Sequence, residues 1–354
     1  MLLMLKDIPV MRFDFEAAVS EVYRADLLPY SLKNKVADLP EITVHNITQA
    51  VAGLANTRSA VQSFLARRVL TLSRIHAKEI YNMITGDPSQ SDSNKKDIAL
   101  KFHSVSINDC YWTKEDDSSL RWQDVNIHTN SLNEILADVA LNGTVVSLQG
   151  SLCSPEITTD GTMAKGWRRE QEDLWLYKKG KTASVEVAVS KILDNLNVAH
   201  VQYFEALDHG EYCCRCKCMA TDSLSVIAAA ELRPYCVSLP DDYAMWIVDY
   251  LISNTDRHEA NFGYYVSSVT NEIISPHPLF DHDRAFNKYA MKHPDVPYRA
   301  KDQYTLREAA HAARAHVTLH YKRDFTRSDF QTDEQYESFM ERLSELQIIC
   351  EQPK

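Results

Sequence analysis

The stretch SNTDRHEANFGYY, residues 253–265, decides how this chain is read. It follows the apolar helical run DDYAMWIVDYLIS and crowds Asp256, Arg257, His258 and Asn261 into one short polar segment. Asp256 and Asn261 have four residues between them, the separation found in kinase catalytic loops. Further on, PLFDHDRAFN places Leu279 and Phe280 directly before Asp281. Upstream, Lys178 closes the apolar strand DLWLYKKG, and Glu186 falls early in the helix ASVEVAVSKILDNLNV. In phosphoryl transfer a lysine holds the nucleotide phosphates and a glutamate fixes that lysine. An aspartate takes the hydroxyl proton, and an Asn and an Asp hold magnesium. The order Lys, Glu, Asp, Asn, Asp is present here, whereas the glycine-rich signature G-x-G-x-x-G is absent.

Each of these residues alone also fits a plainer role. An Asp-Arg-His with a nearby Asn often forms a helix-end turn in which short polar side chains satisfy backbone donors. Asp281 by itself reads as a loop carboxylate. Strand alternation puts Leu174, Leu176 and Lys178 on one face and Trp175, Tyr177 and Lys179 on the other. Lys178 is therefore the expected phosphate lysine and Lys179 the expected solvated one. His258 reads as a core histidine beneath the loop, and Arg257 as the partner of a carboxylate or of a phosphorylated residue. The signal lies in the five residues taken in order.

The bulk properties narrow the alternatives. A chain of 354 residues with 45% hydrophobic and 25% charged residues is that of an ordinary soluble protein, long enough for two domains. The formal charge of −11 repels phosphate backbones, so no direct nucleic-acid binding is expected. No apolar run reaches the roughly 18 residues of a membrane helix. MLLMLKDIPVMRFDF carries early charges and lacks a cleavage site, so no signal peptide and a cytoplasmic location are expected. Four of the eight cysteines sit in YCCRCKC, whose spacing suits a buried strand better than zinc.

Three regions are expected. Residues 1–142 read as a mainly helical accessory region, with a strand at VMRFDFE and a long helical segment broken near Gly53. Residues 143–221 read as a sheet-rich lobe: a strand at TVVSLQG, the loop SPEITTDGTMAKGWRRE with Gly161 and Gly166, the lysine strand, and an antiparallel pair turning at DHGE. Residues 222–354 read as a helical lobe. The fold class expected is α+β, a bilobal protein-kinase-like domain with an extra N-terminal region.

ISNTDRHEANFGYY and PLFDHD resemble the catalytic and metal-binding segments of the HipA-like serine/threonine kinases, which show a D-R-H-x-x-N core and then an apolar-apolar-Asp motif. TTDGTMAKGW followed by LWLYKKG resembles the phosphate loop and lysine strand of such proteins from Gram-positive bacteria and their mobile elements. The resemblance covers about residues 150–290. It implies Lys178 as the phosphate-binding lysine with Glu186 as its partner, Asp256 as the catalytic base, and Asn261 and Asp281 as metal ligands. It implies that loop 158–166, with Gly161, Thr162 and Lys165, covers the phosphates of ATP bound with Mg2+. It further implies a protein substrate, autophosphorylation at Ser154, Thr158, Thr159 or Thr162, and an antitoxin-type partner. The N-terminal region does not match the founding HipA toxins. The rival readings are a catalytically silent nucleotide-binding regulator and a small-molecule kinase.

Overall fold

In the computed structural model, residues 1–14, 19–33, 35–36, 47–86, 95–143, 153–159, 161–235, 239 and 241–350 are described. The strand read at 144–150 and the centre of the polar loop at 87–94 lie outside the described residues. Helix and sheet are mixed, and the chain divides into two compact units. The first comprises Met1–Lys179, Cys218–Ile227 and Tyr265–Ile274; the second comprises Gly180–Lys217, Ala228–Tyr264 and Ser275–Lys354.

The first unit opens with β1 (Leu2–Leu5), β2 (Ile8–Asp14) and β3 (Val19–Val22). There follow α1 (Ile47–Ala66), α2 (Ala77–Thr85), α3 (Lys95–Lys101), β4 (Tyr111–Lys114), α4 (Trp122–Val125) and α5 (Glu134–Asn142). The four strands form an antiparallel sheet in the order β3-β2-β1-β4. Helix α1 runs through Gly53 unbroken, and the break falls instead at 67–76. One glycine within a long helix costs only about 1 kcal/mol, which tertiary packing overrides. The core gathers Leu3, Leu5, Met11, Leu65 and Ile80 around Trp112, whose indole N–H donates to the Lys6 carbonyl at 2.7 Å.

Helix α5 starts where the Asn133 side chain accepts the Leu136 N–H and packs against the antiparallel hairpin β5 (Ala164–Glu170) and β6 (Asp173–Lys179). Gly166 makes this possible. A Cβ there would lie 2.7 Å from Leu141 Cγ and 2.9 Å from the Ala137 carbonyl oxygen.

The second unit begins with α6 (Ala183–Asn195), which buries Val187, Val189, Ile192 and Leu193. Strands β7 (Tyr203–Asp208) and β8 (Glu211–Lys217) pair antiparallel. They turn at His209 and Gly210, whose φ of 50° and 81° suit a tight hairpin. Cys213, Cys214 and Cys216 are buried. The chain passes through β9 (Leu224–Ala228) to α7 (Ala229–Leu232) and α8 (Tyr243–Leu251), where Asp242 caps the helix by accepting the Met245 N–H. The remaining elements are β10 (Gly263–Ser267), β11 (Ile273–Pro276), α9 (Lys288–Lys292), α10 (Leu306–Ala313), β12 (His320–Tyr321), α11 (Asp333–Glu345) and β13 (Ile349–Cys350). Helices α10 and α11 pack on α8, and Phe325, Phe330 and Phe339 cluster beside them. Within the first unit, 224–227, 265–267 and 273–274 belong to a small sheet in the order β11-β10-β9. No helix among the described residues is long and apolar enough to cross a membrane.

Candidate active site

In the second unit, the candidate residues hang on a buried ion pair. Asp249 lies inside the apolar helix α8, and both it and Arg257 are 0% exposed. Arg257 Nε lies 3.0 Å from Asp249 Oδ2, and Nη2 lies 3.1 Å from Oδ1. Tyr298 Oη donates to Oδ2 at 2.8 Å, and Asn254 Nδ2 donates to Oδ1 at 2.9 Å. A buried charge is tolerable only with such full pairing. Burial works against the Arg257 charge, but Asp249 more than offsets it and holds the guanidinium above its ordinary value. Burial, then Asp249, pushes the Tyr298 hydroxyl well above its usual range, so it remains a donor.

The other donors of Arg257 tie the loop to the segment that carries Asp281. Nη1 donates to the Asn261 carbonyl at 2.6 Å and to the Phe280 carbonyl at 2.7 Å. Nη2 meets His282 Nδ1 at 3.1 Å, and because arginine can only donate, Nδ1 accepts. On the far side of Asp281, the His282 N–H donates to Glu186 Oε2 at 3.0 Å, and Glu186 is fully buried. The backbone is thus held on both sides of Asp281. That grip suits its left-handed φ of 60°, a conformation costing of order 1–3 kcal/mol unless the surroundings impose it.

Within the loop, Asn261 Nδ2 donates to the Asp256 carbonyl at 3.0 Å, and the His258 N–H donates to the same oxygen at 2.8 Å. The Asp256 carboxylate is partly exposed and forms an ion pair with Arg299. With the Asn261 amide nitrogen turned inward, its carbonyl oxygen is the atom left for a cation. Amide and carboxylate oxygens at Asn261 and Asp281 are the hard donors magnesium prefers, so these residues fit the ion.

In the first unit, Lys165 stands directly opposite Lys178 across β5–β6, and opposite residues of an antiparallel pair share a face. The two lysines are 8% and 2% exposed. Two amines on one face are donors of the kind that bind a polyanionic ligand such as a nucleotide phosphate. Gly161, at φ 105°, lets the chain pass over the Lys165 amine, for a Cβ there would fall 2.2 Å from Nζ. The loop is held from residues 70–75. Arg74, 2% exposed, donates through Nη1 to the Glu156 carbonyl at 2.8 Å and the Thr159 carbonyl at 2.7 Å, and through Nη2 to the Lys165 carbonyl. The Leu70 N–H donates to the Ile157 carbonyl at 2.6 Å and the Ile75 N–H to the Thr162 carbonyl at 3.1 Å. Glu156 is buried beneath. Its carboxylate accepts from Ser154 Oγ at 2.7 Å and the Trp167 N–H at 2.8 Å, and burial pushes its carboxyl above the usual range.

The second unit therefore brings Glu186, Asp256, Asn261 and Asp281 onto one network, and the first brings Gly161, Lys165 and Lys178 onto one hairpin and its loop. Thr162 is exposed, whereas Ser154 and Thr159 are buried and hydrogen-bonded. Two expectations are corrected. Lys179 is not solvated: it is buried, and its Nζ donates to Asn142 Oδ1 at 2.5 Å. Nor is His258 the core residue of the loop: it is only half-buried, its ring accepts the Ala260 N–H, and Arg257 takes the interior position. Sequence reasoning missed Asp249, Tyr298, Arg299 and Arg74. Only Asp249 left a signal, as a lone carboxylate inside an apolar helix, where a charge implies a buried partner.

No family model matches the sequence, and no curated protein matches it. Solved structures resemble the chain at low sequence identity. One is the Helicobacter pylori proinflammatory kinase CtkA, 14% identical, matched over 52% of this chain and 90% of that chain with a TM-score of 0.36. Another is the Shewanella oneidensis MR-1 toxin–antitoxin system of HipA, HipB and its operator DNA, 9% identical, matched over 98% of this chain and 96% of that chain with a TM-score of 0.47. These are what the chain is similar to; the functional reading rests on its own residues.

Proposed function

We propose that this protein is a HipA-like kinase that transfers the γ-phosphoryl group of ATP, with magnesium, to a Ser or Thr hydroxyl of a protein. The observation that carries the reading is Arg257, which bonds both the Asn261 and the Phe280 carbonyls and so ties the two candidate metal ligands to one buried anchor. On this reading 143–221 and 222–354 are the two lobes of a kinase-like domain, and 1–142 is an accessory region. Lys178 and Lys165 bind phosphate oxygens. Asn261 and Asp281 hold magnesium, which when bound neutralises charge on the phosphates. Glu186 keeps the Asp281 segment in place through the His282 N–H. Asp256 accepts the proton of the acceptor hydroxyl, a general-base task.

The loop that carries Gly161 and Thr162 is the proposed regulatory element. Of its hydroxyls, Thr162 is exposed, whereas Thr158 is half-buried on the Pro155 carbonyl and Ser154 and Thr159 are buried in hydrogen bonds, so Thr162 is the most accessible to phosphorylation. A phosphoryl group there adds roughly −1.5 to −2 charges next to the site of an anionic nucleotide, so it lowers ATP affinity. An antitoxin-type partner belongs to the same reading. Incubation with labelled ATP and magnesium, alone and with cell lysate, followed by identification of the labelled peptides, tests it. Labelled protein is expected, with the self-label on Thr162. Unlabelled lysate and unlabelled protein would sink the kinase reading.

A further inference from the structure

The segment that follows Asp281 leaves the candidate catalytic loop and comes back to it. At its start, the Phe286 N–H donates to the Ile252 carbonyl at 2.6 Å and the Asn287 N–H to the Ser253 carbonyl at 3.3 Å. At its end, Arg299 reaches the Asp256 carboxylate. Between 282 and 301 lie Arg284, Lys288, Lys292, Arg299 and Lys301, against the acidic residues Asp283 and Asp295. That excess of cations sits in a chain whose formal charge is −11.

Some of these charges are already paired. Asp295 is taken by Arg307, and Lys301 is taken by Asp241. Arg284, Lys288 and Lys292 are exposed, and among the described residues none of the three forms an ion pair. They recur every fourth residue, and Lys288 and Lys292 are neighbours on the same side of α9. Lys288 and Lys292, exposed and one helical turn apart, repel each other. A partner of opposite charge relieves the repulsion and gains attraction.

We infer that Arg284, Lys288, Lys292 and Arg299 form an acceptor-docking surface for an acidic polypeptide, one whose phosphorylated Ser or Thr is flanked by Glu or Asp. This specifies the substrate class of the proposed kinase and rests on that reading. Arg299 already grips a carboxylate, that of Asp256, and an incoming acidic side chain competes for it. That exchange frees the Asp256 carboxylate as the acceptor docks. A short acidic stretch matches one segment of cations, whereas an extended nucleic acid would also meet the acidic remainder of the surface.

The test is a binding measurement that does not depend on turnover. Fluorescein-labelled peptides alternating Ser with Glu, with Ala or with Lys, and an oligouridylate RNA of equal length, are titrated with the full chain at low and at physiological salt. The Glu/Ser peptide is expected to bind about tenfold more tightly than the Ala/Ser peptide, with the advantage shrinking as salt rises. The double variant K288E/K292E, and to a smaller degree R284E, should remove that advantage. Both variants change exposed side chains, and their circular dichroism and melting curves check that they fold. Equal binding of the Glu/Ser and Ala/Ser peptides overturns the inference, as does an undiminished preference in K288E/K292E. RNA that outcompetes the Glu/Ser peptide also overturns it, in favour of a nucleic-acid surface. Magnesium-dependent ATP binding by the wild-type protein, measured alongside, reports on the kinase reading separately.

Discussion

Two buried arginines organise the two units, and they do so differently. Arg257 sits opposite a carboxylate, Asp249, that is as deeply buried as itself, and through that anchor it holds two segments of the second unit. Arg74 in the first unit bonds three loop carbonyls, those of Glu156, Thr159 and Lys165. Removing one partner of a buried ion pair leaves a charge stranded. Removing a donor from backbone carbonyls frees a loop that can turn them to water. The difference separates a segment anchored through a paired buried charge from a loop anchored through backbone carbonyls.

The largest effects test that contrast. Arg257→Met should cost about 3–5 kcal/mol of stability, because Asp249 loses its charge partner. Arg74→Met should cost less, about 1–3 kcal/mol, and should act mainly by raising the KM for ATP. Urea unfolding with ATP kinetics compares them, and equal stability losses with equal KM changes would break the contrast. Of similar size, Asp256→Asn should lower transfer by about 100- to 10,000-fold while ATP still binds. Asp281→Asn should weaken ATP binding only when magnesium is present. Calorimetry of both variants with and without magnesium distinguishes them, and the reverse result would exchange the two roles.

A third test uses pH, and the two units should respond with opposite sign. His277, buried in the second unit, has its imidazole pushed down to about 4, mainly by burial. The unfolded chain therefore binds a proton near pH 6.5 that the folded one refuses. Its contribution is complete above pH 6.5 and is lost as pH falls toward 4, a change of about 3 kcal/mol. Glu156 in the first unit has its carboxyl raised by burial, so the folded state holds a proton that the unfolded state has released. Its contribution is present below the ordinary carboxylate value and shrinks as pH rises past it. Stability against pH should be flatter on the acid side in His277→Phe, and should decline less with rising pH in Glu156→Gln. Unchanged profiles in both would show that neither group titrates on unfolding.

The smallest expected effect concerns Lys179. Lys179→Met removes one hydrogen bond to Asn142, costs about 1 kcal/mol, and leaves transfer intact. Lys178→Met should stop transfer with the fold retained. If Lys179→Met stops transfer and Lys178→Met does not, the assignment of faces on β6 is wrong.

Much of this was legible in one dimension. Helices α6, α8 and α11 follow from their apolar periodicity, and the β7–β8 hairpin from its alternation around DHGE, because local patterns report local structure. The order Lys178, Glu186, Asp256, Asn261, Asp281 was visible because it depends on spacing and flanking residues. The break expected at Gly53 does not form, because α1 buries Val61, Phe64 and Leu65 and that burial outweighs a glycine propensity of about 1 kcal/mol.

The sequence by itself determined the residue types that the proposed chemistry needs, the order in which they come, and the alternation that sets Lys178 on a different face from Lys179. Tertiary structure alone decided what holds them. Asp249 and Tyr298 are 49 residues apart, and Glu156 lies 82 residues from Arg74, so no local pattern can announce those bonds. The physical reason is desolvation. A charge inside a protein must find its partner in space, and the fold brings that partner from wherever in the chain it lies.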